Sequence, residues 1–92
     1  MSPVTVSLPF ALRAKAGHRA SVPVVAQTVR EVIDALDQEF PGLRFHLCYE
    51  TGELRPFVNV FVEREHIRSL QGLDTPVSPG ATVHILASVA GG

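Results

Sequence analysis

Thr28-Val29-Arg30-Glu31-Val32-Ile33-Asp34-Ala35-Leu36-Asp37-Gln38-Glu39-Phe40 carries helix signals from its first residue to its last. Thr28 and Glu31 stand at capping-box spacing, in which the threonine hydroxyl accepts from the Glu31 backbone N–H while the glutamate reaches back. Val29, Val32, Ile33, Leu36 and Phe40 recur at i, i+3, i+4, i+7 and i+11, a continuous apolar stripe. Arg30, Asp34, Asp37 and Gln38 occupy the other side. Pro41-Gly42 ends the helix, because proline disfavours helical backbone at Phe40 and glycine relaxes the exit. A stripe of this kind must be buried against something, and its neighbours in sequence read as strands.

Upstream, Val4, Val6 and Leu8 alternate with Thr5 and Ser7, the period of a half-buried strand. A loop containing Ala16-Gly17-His18 leads to a second strand over Arg19 to Val25, where Val22 and Val24 recur at spacing two. Pro23 cannot donate a ladder hydrogen bond, so this strand belongs on a sheet edge. The pair predicts an antiparallel hairpin. Downstream, Phe57-Val58-Asn59-Val60-Phe61-Val62 is β-branched and aromatic, a strong strand. Glu63-Arg64-Glu65 reads as a polar turn and His66-Ile67-Arg68 as a short edge strand. Pro79-Gly80 suits the centre of a type II turn. Thr82 to Val89 is the final strand, with Val83, Ile85, Ala87 and Val89 on one face. Leu43 to Pro56 stays open: Leu43, Phe45, Leu47 and Tyr49 alternate as a strand would, yet the segment is short and closes at Thr51-Gly52. The order predicts an α+β fold of the β-grasp (ubiquitin-like) kind, a mixed sheet of four to five strands with one main helix packed on one face. Residues 1–87 are expected to form that domain, and 88–92 a flexible C-terminal tail ending Gly-Gly.

With 92 residues, the chain is expected to hold one small domain. At 46% hydrophobic and 18% charged it has a globular composition. Its net charge of −1, with the basic residues scattered among acids, argues against nucleic-acid binding. The single cysteine, Cys48, excludes a disulfide-stapled secreted fold. The start lacks a signal-peptide pattern, and apolar runs such as Val22-Pro23-Val24-Val25-Ala26 are too short to cross a bilayer. The expected address is the cytoplasm.

The chemistry is expected at the end of the chain. The last strand runs directly into Ala87-Ser88-Val89-Ala90-Gly91-Gly92. Residues without side chains let backbone and carboxylate enter a narrow channel of another protein. A carboxylate is unreactive at neutral pH, but an acyl-adenylate has a good leaving group, which a sulfur nucleophile can displace. Gly-Gly alone fits a frayed end without function equally well. Coupled to a β-grasp order and placed directly after the last strand, it makes Val89, Ala90, Gly91 and Gly92 the segment expected to enter partner active sites, with the Gly92 carboxylate as the expected sulfur acceptor. Alternation sends Asn59, Phe61 and Glu63 to the open sheet face together with His84, Leu86 and Ser88. Phe61, His84 and Leu86 are the expected partner-binding surface. His46 and Cys48 could pair as metal ligands or as nucleophile and base, but no third ligand is near. They read as a surface histidine and a small, semi-buried thiol. No Gly-rich phosphate loop is present, so no catalytic, cofactor-binding or metal-binding residue is assigned and ATP chemistry falls to a partner.

These features resemble the MoaD/ThiS family of sulfur carriers. Thr28 to Leu36 with Phe40-Pro41-Gly42-Leu43 is similar to the family's helix, Phe57 to Val62 to its central strand, and Pro79 to Leu86 running into Val89-Ala90-Gly91-Gly92 to its ending. The Arg55 to Val60 strand and the tail most resemble carriers of thiocarboxylate-dependent cysteine synthesis. The resemblance implies a short helical turn near Leu43 to Leu47, against the alternation there. It implies an E1-like enzyme that uses ATP to adenylate Gly92, a C-terminal thiocarboxylate, and a synthase that takes the sulfur. For cysteine, it implies an activated serine on the synthase's pyridoxal phosphate and a metal-dependent peptidase that later frees the product. The alternatives are the small subunit of a molybdopterin synthase, or a ubiquitin-like modifier conjugated through Gly92.

Overall fold

The structure, a computed structural model, describes residues 2–87. Strand β1 (Val4–Ser7) pairs antiparallel with β2 (Ser21–Val24), setting Val4 opposite Val24 and Val6 opposite Val22. These valines are buried while Thr5, Ser21 and Pro23 are exposed, so the period of two produces one apolar face. The connection is more than a loop. It holds α1 (Phe10–Arg13) and a 3₁₀ turn over Ala14–Ala16, which bury Leu12 and Ala16 before Gly17 turns the chain at φ +66°.

Helix α2 (Val29–Glu39) is capped as expected, with the Glu31 N–H donating to Thr28 Oγ1 at 3.2 Å. The reciprocal bond moves by one residue: the Glu31 carboxylate accepts from the Gln27 N–H at 3.0 Å. Val29, Val32, Ile33 and Leu36 are buried, and Phe40 packs against the same core.

Leu43–Pro56 corrects the strand-like alternation. A turn leads into α3 (Arg44–Leu47), after which Cys48 and Leu54 form an isolated bridge. Leu43 and Leu47 are buried and Phe45 and Tyr49 exposed, which is the i, i+4 geometry of a helical turn. The helical turn implied by the family resemblance is the correct reading.

β3 (Val58–Val62) pairs antiparallel with β5 (Thr82–Ala87), and β5 pairs parallel with β1. β4 (Glu65–His66) is antiparallel to β3 and shorter than the expected strand, because Ile67–Ser69 turns into a 3₁₀ segment that buries Ile67. The strand order is β2-β1-β5-β3-β4, which leaves Pro23 on an edge strand as its missing N–H demands. At Pro79-Gly80 the Ala81 N–H donates to the Ser78 carbonyl at 3.0 Å and Gly80 has φ +84°, as a type II turn requires. The core cluster joins the buried face of α2 to β1, β2, β3 and β5. This mixed five-stranded sheet with one main helix on it is a β-grasp fold. Among the described residues no helix is long and apolar enough to cross a membrane. The final two residues of the expected last strand, and the whole of 88–92, lie outside the described residues.

Candidate functional site

Val89, Ala90, Gly91 and Gly92 lie outside the described residues, so the structure fixes only the point from which the chain reaches them. That point is Ala87, paired with Val58 at the end of β5. β5 is held on both sides, by β1 along Thr82–His84 and by β3 from Val83 to Ala87. Core strands with two ladders are the last parts of a fold to open, so the root of the tail is anchored.

Alternation sorts the side chains around this root. Val58, Val60, Val83 and Ile85 are buried on the helix side. On the other face, Leu86 is 50% exposed and Asn59, Phe61 and His84 are half-buried. The register sets Phe61 opposite His84 and Asn59 opposite Leu86. The structure therefore brings Phe61, His84 and Leu86 together as expected, with Phe61 and Leu86 as diagonal neighbours across the ladder.

Asn59, which the strand period already put on this face, and His66, which the sequence reading did not place there, complete the surface. β4 sets His66 opposite Phe61, and their rings meet edge to face with centroids 5.0 Å apart. The Arg68 N–H donates to His66 Nδ1 at 3.0 Å, so the proton of the neutral ring sits on Nε2, which donates to Asn59 Oδ1 at 3.0 Å. His66 thus orients both Asn59 and Phe61. For Asn59 the signal lay in the strand period, which puts it on the face of Phe61. For His66 it depended on the register across the β3–β4 turn. At that turn Glu63 adopts φ +56°, and its carboxylate accepts from the Thr82 N–H at 2.9 Å, tying the turn to β5.

His46 and Cys48 part company: His46 is exposed, whereas Cys48 is more deeply buried than expected, at 3% exposure. Burial pushes the Cys48 thiol up, against the smaller opposing pull of Arg44 and Arg55. A thiol held protonated is a weak nucleophile. Cys48 borders a cleft of about 220 Å³ whose two arginines each pair with a carboxylate, Arg30 with Asp74 at 3.2 Å and Arg44 with Asp34, while Arg44 Nε is buried without a hydrogen-bond partner. Among the described residues, no three of His, Cys, Asp and Glu gather as metal ligands.

The ThiS family model matches residues 6–92, and the chain belongs to the ThiS family. The sulfur carrier protein CysO of Mycobacterium tuberculosis is 38% identical over 91 residues, spanning 97% of this chain and 98% of that protein. A chain of the crystal structure of the Amycolatopsis orientalis BexX/CysO complex matches with a TM-score of 0.89 at 40% identity, covering 97% of this chain and 99% of that one. The small archaeal modifier protein 1 of Methanosarcina acetivorans shares the fold with a TM-score of 0.80 at 29% identity, covering 100% of this chain and 98% of its own.

Proposed function

We propose that this chain is a sulfur carrier whose working group is the Gly92 carboxylate, with cysteine synthesis as the favoured destination of the sulfur. The observation that carries this reading is the near full-length match to a sulfur carrier protein, within a family match that runs through Gly92. The steps follow from carboxylate chemistry. A carboxylate oxygen of Gly92 attacks the α-phosphorus of ATP in an E1-like partner, and pyrophosphate leaves. Sulfide then adds to the acyl carbon and AMP departs with the oxygen, leaving a thiocarboxylate. A persulfide displaces AMP in the same way to give an acyl disulfide, whose S–S bond a second thiol breaks, releasing the thiocarboxylate and forming a disulfide with the former persulfide carrier. A partner synthase takes that sulfur into a small molecule. In the cysteine branch, a metal-dependent peptidase frees the product from the tail. The chain contributes no catalytic group; it supplies the carried atom and the surface by which partners hold it. The open-face residues Phe61, His84 and Leu86, beside the root of the tail, are that surface.

A second reading is favoured by the likeness to a small archaeal modifier protein. There the activated Gly92 forms an isopeptide bond to a lysine of another protein. Intact-mass spectrometry after incubation with an E1-like enzyme, ATP and sulfide separates the two. Replacement of one oxygen by sulfur on Gly92 supports the carrier. Lysine adducts on other proteins without that replacement support the modifier, and neither product removes both readings.

A further inference from the structure

On the helix side of the sheet, next to Ala87, the surface opens into a groove of about 370 Å³ walled by Ala11, Leu12, Phe45, Arg55, Phe57 and Ala87. Two of its lining residues are exposed aromatics, and two more adjoin the lining. Phe10, one residue before Ala11, is 84% exposed, Phe45 56% and Phe57 37%. Tyr49 is exposed too, with the Arg55 guanidinium 4.8 Å from its ring centroid, and Arg13 lies 5.8 Å from that of Phe10. Single exposed apolar residues are ordinary, but Phe45 and Phe57 walling one groove, with Phe10 adjoining its Ala11 and Tyr49 stacked on its Arg55, mark an interaction surface. Among the described residues, neither Arg13 nor Arg55 forms an ion pair with a carboxylate.

Two facts select the occupant. Five residues follow Ala87, and at roughly 3.6 Å each they reach no further than about 18 Å. An active site that acts on Gly92 must therefore rest its mouth on the surface around Ala87. Leu86 and Ala87 are consecutive strand residues and point to opposite faces, so the open-face patch and the groove flank one root. The enzyme that first activates Gly92 meets a terminus bearing no chemical mark and almost no side chains, and must select by the folded body. An acceptor enzyme can select the sulfur atom itself.

We infer that the groove is a second docking surface for the enzyme that adenylates Gly92, receiving an apolar side chain of that enzyme, with a carboxylate placed for Arg55. This rests on the sulfur-carrier reading and adds a grip on the helix side of the sheet to the one on the open face. The test is ATP–pyrophosphate exchange with the purified E1-like enzyme and labelled pyrophosphate, varying the concentration of the carrier. Phe45→Asp raises KM about tenfold, the scale of losing one buried aromatic anchor, and leaves kcat unchanged because the side chain touches no reacting atom. Phe10→Ser, at a side chain too exposed to matter for folding, raises KM several-fold. A KM unchanged in both variants overturns the inference, and so does normal exchange followed by a loss confined to sulfur delivery, which gives the groove to the acceptor. An unaltered chain that supports no exchange overturns the carrier reading beneath it, a result distinguishable from the others.

Discussion

Thr28 shows what a single side chain contributes here. Its hydroxyl accepts from the Glu31 N–H, one of the donors left unpaired at the start of any helix, and its neighbour Gln27 is held by the Glu31 carboxylate. Thr28→Ala removes the first of these bonds and is expected to cost about 1 kcal/mol, read as a lower urea midpoint with an unchanged slope. Cys48 behaves differently because its environment disfavours the charged form. Its folded pKa lies above its unfolded value, so the unfolded chain releases the thiol proton first as pH rises. The contribution of Cys48 to stability is therefore intact below the ordinary thiol range and lost as pH climbs through the raised value. Iodoacetamide at mildly alkaline pH should label the native protein far more slowly than the urea-unfolded chain, as followed by mass spectrometry. Equal rates would contradict the burial. The cap was legible in the sequence because it is a local pair at fixed spacing. The bonds that His66 makes to Arg68 and Asn59 were not, since the second exists only once β3 and β4 are in register.

At the scale of elements, length separated what could be read from what could not. α2 has 11 residues and displays its stripe over three turns, whereas α1 and α3 have four each and show about one turn. In a single turn, apolar residues at alternate positions fit a strand or a helix equally well. Leu43 and Leu47 satisfied both patterns, and burial of the pair on one side of α3 decided between them. In β5 the period of two has a direct consequence. Ile85 is 1% exposed and Leu86 50% exposed, on opposite faces. Ile85→Ala should cost roughly 2–5 kcal/mol through the cavity it leaves. Leu86→Asp should change unfolding free energy by no more than about 0.5 kcal/mol while raising KM for the carrier in the adenylation assay. If Leu86→Asp leaves that KM unmoved, the open face is not where the activating enzyme binds.

For the molecule as a whole, the strand order was the least legible feature. Each strand announces its own period, but nothing local announces that β5 inserts between β1 and β3, parallel to one and antiparallel to the other. That arrangement follows from the need to cover one stripe, on α2, with one continuous apolar face, and only the assembled sheet displays it. The same assembly makes β5 both the centre of the body and the strand that leads to Gly92. Folding and sulfur transfer should therefore respond to different changes. Leu36 is fully buried under the sheet, and Leu36→Ala should lower unfolding free energy by about 3 kcal/mol. At a temperature well below its melting point, the variant should still exchange oxygen for sulfur at the rate of the unaltered chain. Deleting Gly92 should do the reverse: the same thermal melting curve, and no mass change after incubation with E1-like enzyme, ATP and sulfide. If the shortened chain acquires sulfur at an undiminished rate, the reactive carboxyl is not that of Gly92, and β5 leads to nothing that the partners use.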